Sequence, residues 1–397
     1  MGRRHEMSAL WCHTQLIMLE GLPSTGKSTN SDFLRMQLER NGKKAKWIHE
    51  VAHPHPTSFF SEACLHHNDY KNFLRLYPEA SHILNSIAVF RKNTIGIDLL
   101  EIEWNHVDNI SETAFNAIKQ YDIWDFSLDK YEEAAIEKWE CFSKTAKQDS
   151  DFVYILDSSI FQAQIFTFLW DNAPFKRLET FVNKLCKIVK HMNPSFIYLY
   201  RDNVETTIEY LEKERGTHGL ENIWQRDKAR PYYQDKPKGA DGFKHFLRDY
   251  ANSAKLLFDS LTCNKISIEI SKKDWANYEN KMLSFLGVEN ISSSEFTPPN
   301  GVYINDELNS VITVDGLLMI DPDGNNRKLT PKTDCEFYVE GLPIVLQFMN
   351  QSIIILGVSI CERWTKKGMV YNKKREFGKP FFVYKAQSPT KPQHLKP

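Results

Sequence analysis

The chain lacks most of the features that tie a protein to a membrane, to nucleic acid or to an oxidising compartment. No apolar run in its 397 residues approaches the roughly 20 residues that a bilayer span needs. The segment from Met1 to Thr14 carries two arginines but no continuous apolar stretch of the kind a secretory leader requires. An excess of one charge is missing too. Fifty basic residues stand against 51 acidic ones, so no bulk field draws the protein to polyanions or lipid headgroups. The seven cysteines are scattered and show no CxxC spacing, which excludes a disulfide scaffold or a cysteine zinc site as the organising element. Internal repeats and low-complexity tracts are absent as well. These absences predict a cytoplasmic protein that acts on a small molecule, with no nucleic-acid or membrane partner. The oligomeric state stays open, a homodimer included.

What is present is concentrated near the N-terminus. Gly21-Leu22-Pro23-Ser24-Thr25-Gly26-Lys27-Ser28 is a complete GxxxxGK[ST] phosphate-binding loop, placed after the apolar run Leu16 to Leu19 and before a helical pattern that Asn41-Gly42 stops. The glycines let the backbone curl around phosphate oxygens, so that successive N–H groups form a concave nest for anions. Lys27 adds a point charge toward the β- and γ-phosphates. Ser28 offers a hydroxyl to Mg²⁺ at a helix N-terminus whose dipole also favours phosphate. Gly21, Ser24, Thr25, Gly26, Lys27, Ser28 and Thr29 are therefore the expected nucleotide contacts, with ATP or another NTP and Mg²⁺ as the cofactors.

Beyond the loop, short apolar runs alternate with helical patterns. Strands are expected at 45–49, 152–156, 196–200 and 265–270, and helices at 158–170, 175–191, 202–215, 243–261 and 275–286. That alternation predicts a doubly wound parallel sheet. The stretch from Phe59 to about Ile97 reads as helical, and Leu99 to Trp104 reads equally as strand or helix. Asn290 to Pro299 is Ser/Pro-rich and reads as a linker. Short β-like runs follow at 302–304, 311–314, 317–320, 335–339, 344–348, 353–358 and 381–384, with Asp315-Gly316 and Asp323-Gly324 as turns. The expected organisation is an α/β unit over 1–289, with a helical insertion over about 57–150 and a mobile basic segment over about 215–238. A small antiparallel β domain follows over 297–397.

This order of elements resembles the nucleoside and nucleotide kinase branch of the P-loop superfamily, especially the thymidylate kinase and deoxynucleoside kinase group, over roughly Gln15 to Leu286. The resemblance implies a P-loop kinase-type parallel sheet flanked by helices. It also implies a carboxylate after strand two beside the acceptor, and Trp47-Ile48-His49-Glu50 puts Glu50 there. The family's acidic-plus-Arg element after strand three is represented by Asp157-Ser158-Ser159, without the arginine. The basic segment falls where the family keeps a lid.

Roles follow for six residues. Lys27 holds the transferring phosphate, and Glu50 serves as a base toward an acceptor hydroxyl or sits as a plain loop glutamate. Asp157, with Ser28, holds Mg²⁺ or else caps the next helix. Arg215, Arg226 and Arg230 are the lid arginines, any of which can neutralise phosphate charge on closure. His49, His53, His55, His66 and His67 match no metal-ligand spacing. Trp104, Trp124 and Trp139 are either core or stacking platforms for the acceptor. The expected activity is ATP-dependent phosphorylation of a small-molecule hydroxyl, on a nucleoside or a hydroxylated antibiotic. The alternatives are a nucleoside monophosphate kinase and, in another class, a regulatory NTPase switch whose β domain binds a partner.

Overall fold

A computed structural model of the chain describes residues 14–293 and 295–374. Five strands form a wholly parallel sheet, in the order β2 (Lys44–Ile48), β6 (Phe152–Asp157), β1 (Leu16–Gly21), β7 (Ser195–Tyr200), β8 (Asn264–Glu269). Strand periodicity sorts its residues to two faces. Ile17, Leu19, Trp47, Ile155, Ile197 and Leu199 pack with Leu34 and Leu38 of α1 (Lys27–Arg40) and with Met282 and Leu283 of a C-terminal helix, Trp275–Leu286. The opposite face, including Met18, Leu156, Phe196 and Tyr198, packs against a larger helical layer.

The stretch after β2 departs from the helical expectation. It holds a three-stranded antiparallel sheet, β3 (Glu62–His66), β5 (Thr94–Asp98) and β4 (Val89–Phe90). Two helices, α2 (His67–Leu76) and α3 (Ser81–Ile87), pack beside it. Ala63, Leu65, Ile95 and Ile97 alternate inward on these strands, a period-two signal that the helix-like spacing of Phe60, Ala63 and Cys64 masks. Leu99 to Trp104 falls in a helix, α4 (Leu99–Asn105), capped by Asp98. Next come α5 (Glu112–Lys119) and the long α6 (Leu128–Gln148), then α7 (Gln162–Trp170) and α8 (Phe175–Ile188) after β6.

The basic segment also differs from expectation. The helix expected to end at Arg215 does break there, at Gly216 with φ 72°, but a second helix resumes at once, so that α9 (Val204–Asp227) takes in the first part of the basic segment, up to Asp227. Its cap is Asn203, whose side chain accepts from the Glu205 amide. The remaining helices are α10 (Gly239–Ser260) and α11, the Trp275–Leu286 helix already met.

The C-terminal strands close into an eight-stranded antiparallel barrel. They are β9 (Gly301–Asn305), β10 (Ser310–Asp315), β11 (Leu318–Ile320), β12 (Asn326–Pro331), β13 (Glu336–Val339), β14 (Ile344–Met349), β15 (Ser352–Gly357) and β16 (Val370–Lys373). Closure leaves no open sheet edge among these strands. Two of the eight, β12 and β16, are too polar to read as strands from composition, and the run at 381–384 lies outside the described residues. No helix among the described residues is long and apolar enough to cross a membrane.

The barrel is docked on the α/β core. Tyr338 donates a 2.7 Å hydrogen bond to Glu39 and lies under the Arg35 guanidinium, and Ala52 forms an isolated β-bridge with Ile360.

Candidate functional site

The site forms at the carboxyl ends of β1 and β6, where parallel sheets of this kind leave a crevice. The loop after β1 has its expected shape. Ser24 (φ 61°) and Gly26 (φ 81°) take left-handed backbone conformations, which turn successive amides inward. At Gly26 an added Cβ would come within 2.8 Å of the Trp275 ring, so the glycine is required for space as well as for conformation. Thr25 Oγ1 and Lys27 Nζ both donate to the Leu22 carbonyl, at 2.7 and 3.0 Å, and hold the loop closed on itself. Thr29 is exposed on the first turn of α1.

Asp157 and Glu50 both come to this loop. Ser28 Oγ donates to Asp157 Oδ2 at 2.8 Å, and Ser158 Oγ donates to Asp157 Oδ1 at the same distance. Asp157 therefore faces the phosphate loop and does not cap α7, which begins only at Gln162. Glu50 accepts a 2.7 Å hydrogen bond from Gln162 Nε2 at the first residue of that helix. Burial pushes the Glu50 carboxyl up, but the charges of Lys27 and His49 outweigh it and hold the group below its usual range. Asp157 is shifted the other way, raised by burial and by the neighbouring Glu50 charge. The two carboxylates beside this loop are thus shifted in opposite directions.

Three polar residues of the site escape the sequence reading. Glu20, wholly buried just before Gly21, accepts from the amides of Ile160 (2.7 Å), Phe161 (3.1 Å) and Gln162 (3.3 Å), and so caps the start of α7. Burial raises its carboxyl to about 7 despite these bonds. Its signal in the sequence is a lone carboxylate ending an otherwise apolar strand. Arg201, the first residue after β7, donates to the Ser24 carbonyl at 3.3 Å and covers the Tyr210 ring. Gln162 is the third.

The lid arginines separate into two places. Arg215 is exposed, and its neighbour Glu214 accepts from the Ser24 hydroxyl of the phosphate loop. Arg226 forks onto Asp227 at 2.6 and 2.7 Å, and it and Arg230 lie over the Trp170 ring at 5.9 and 5.2 Å. Trp170 ends the same α7 that Gln162 begins. Arg230 also donates to the Trp124 carbonyl at 2.6 Å. Trp124 packs edge-on to Trp170 and stacked on Tyr131, which gives one end of this helix an aromatic, cationic wall. Trp139 is fully buried core, while Trp104 packs edge-on to His53. His55 accepts two backbone amides through Nδ1. No group of three or more His, Cys, Asp or Glu side chains placed to hold a metal ion occurs among the described residues.

No protein-family model and no curated protein matches the chain. Among solved structures, the thymidylate kinase of Candida albicans is similar at 13% identity, covering 70% of this chain and 96% of that one, with a TM-score of 0.26. A score so low adds no weight to either fold or function. The reading of the site rests on its own geometry.

Proposed function

We propose that the protein is an ATP-dependent phosphotransferase whose acceptor is the hydroxyl of a small molecule, a nucleoside or a hydroxylated antibiotic. The observation that carries this reading is the convergence of Lys27, Ser28, Glu50 and Asp157 at the mouth of one phosphate loop. The loop amides and Lys27 grip the β- and γ-phosphates. The pairing of Ser28 and Asp157 oxygens at 2.8 Å is a hard-oxygen donor set that fits Mg²⁺, which when bound draws charge from the phosphate oxygens.

Gln162 orients Glu50, which is held ionised and is assigned as the group that takes the acceptor's proton. The acceptor oxygen forms the new bond to the γ-phosphorus as the bond to the β–γ bridging oxygen breaks, the proton passes to Glu50, and ADP departs. Arg215, next to the loop contact at Glu214, is assigned to the transferring phosphate. Arg226 and Arg230, with Trp124 and Trp170, are assigned to the acceptor side.

A thermal-shift screen with a non-hydrolysable ATP analogue and Mg²⁺, repeated with nucleosides and hydroxylated antibiotics, tests this reading. A rise in Tm with nucleotide and a further rise with one acceptor class supports it, since ligands of the native state stabilise it by mass action. No response to any nucleotide refutes it.

A further inference from the structure

Along the C-terminal half of α1, away from Lys27 and Ser28, the α/β core and the barrel form a groove of about 710 Å³, lined by α1, β2 and the barrel strands β13 to β15. Its lining is strongly unbalanced in a chain whose total charge is balanced. Seven cationic side chains line it against two acidic ones, Glu39 and Glu336. Some of that charge is already answered. Lys44 and Lys46 pair with Asp151 and Asp149 at the rim, Lys332 shares Glu39 and Glu336, and Arg35 is held by Asp32 at 2.5 Å.

Arg40 and Lys367 have no carboxylate partner among the described residues. Arg40 is half-buried, its Nη1 donates to the Ile291 carbonyl at 2.9 Å, and its Nη2 has no partner at all. Arg35 Nε and Trp47 Nε1, on two lining residues at most 4% exposed, are likewise donors without acceptors. Buried donors without acceptors and a half-buried guanidinium without an anion are costly to keep. What the groove offers is two cations without a carboxylate, the Arg40 fork and the flexible Lys367 ammonium, beside an apolar lining of Val345, Leu356 and Val358. That chemistry suits phosphate oxygens joined to a small organic body, and the volume lies in the range of small-molecule pockets.

We propose that this groove is a second binding site, separate from the phosphate loop, for a small phosphorylated metabolite. An occupant would bridge core and barrel. Both core elements that line the groove also run into the candidate active site: α1 begins at Lys27 and Ser28, and β2 leads directly to His49 and Glu50.

The test uses full-length Lys27→Ala protein, so that the phosphate loop no longer dominates anion binding. It is titrated calorimetrically with inorganic pyrophosphate and, separately, with ribose 5-phosphate, and the relative affinities tell whether the groove prefers bare phosphate or its organic body. Saturable binding of either probe is expected. In the same background Arg40→Gln with Lys367→Gln should weaken it at least tenfold, and Lys332→Gln with Lys367→Gln, both exposed on the barrel, repeats the test without touching α1. Circular dichroism and unchanged melting of the unliganded variants establish folding. Absence of saturable binding in the Lys27→Ala protein, or binding indifferent to both groove pairs, overturns the proposal. Neither result bears on transfer chemistry at the phosphate loop, so this proposal and the proposed function fail independently.

Discussion

Replacing Glu20 by Gln should change how stability depends on pH more than it changes stability itself. Glu20 is fully buried, and burial raises its carboxyl from 4.5 to about 7 against the pull of three backbone amides and Lys27. The folded state therefore holds this proton more tightly than the unfolded chain does. Between pH 4.5 and 7 the native state binds more protons, so the stability supplied by Glu20 is fully present below 4.5 and is lost as pH rises through 7. At about 1.4 kcal/mol per pKa unit, ionising the buried group costs roughly 3 kcal/mol by pH 8.

Gln has nearly the same shape and can still accept the Ile160 and Phe161 amides, but it never ionises. Near pH 5 the variant should match the parent, or fall slightly below it because its amide nitrogen faces the Gln162 N–H. Toward pH 8 it should become the more stable protein by about 2–3 kcal/mol. Urea unfolding of both proteins at pH 5, 6, 7 and 8 reads the difference directly. A stability difference that stays constant across this range, or that favours the parent at pH 8, refutes the reasoning.

The other predictions concern the site and the linker. Glu50→Gln should lower kcat about a hundredfold while leaving the KM for ATP nearly unchanged, as loss of a general base does; a raised KM with normal kcat would instead make Glu50 a binding residue. Asp157→Asn should raise the Mg²⁺ concentration needed for half-maximal rate several-fold in a metal titration, and an unchanged requirement would remove Asp157 from the cation site. We place the boundary between core and barrel within the Ser/Pro-rich stretch. Ile291 is pinned to Gln37 through both its N–H and its carbonyl, so limited proteolysis should cut after it, before Asn300. A chain ending at Ser293 should fold and retain nucleotide binding but lose acceptor turnover, because the barrel contacts the segment just after Glu50. An insoluble truncation with an uncut linker would show one shared core.

How far the sequence carries can be judged residue by residue. The loop from Gly21 to Ser28 and the buried strands announce themselves because the phosphate-binding spacing and the apolar runs are local signals. Asp157 was legible for the same reason, as an acid ending such a run. Glu20 and Arg201 were equally well placed but adjoin no recognised pattern, and their meaning comes from amides and carbonyls far away in sequence. The small sheet of β3, β4 and β5 was misread because its inward residues also fit helical spacing over short windows. Gly216 breaks the helix as the sequence suggests, but a second helix resumes directly after it and buries Leu220, which no local turn signal records. Docking of the barrel on Arg35 and Ala52 depends on two surfaces meeting, which no local pattern records.

The central claim is that the loop, Glu50 and Asp157 form a single phosphotransfer site. It is tested most directly by measuring ADP formation from ATP and Mg²⁺ with and without the acceptor identified by thermal shift, in the parent and in Lys27→Ala protein of equal melting temperature. The account predicts acceptor-dependent ADP release in the parent and a loss of at least about a hundredfold in the variant, since Lys27 neutralises charge on the transferring phosphate. Near-parental turnover in the folded variant, or ATP hydrolysis that no small acceptor accelerates, would contradict it.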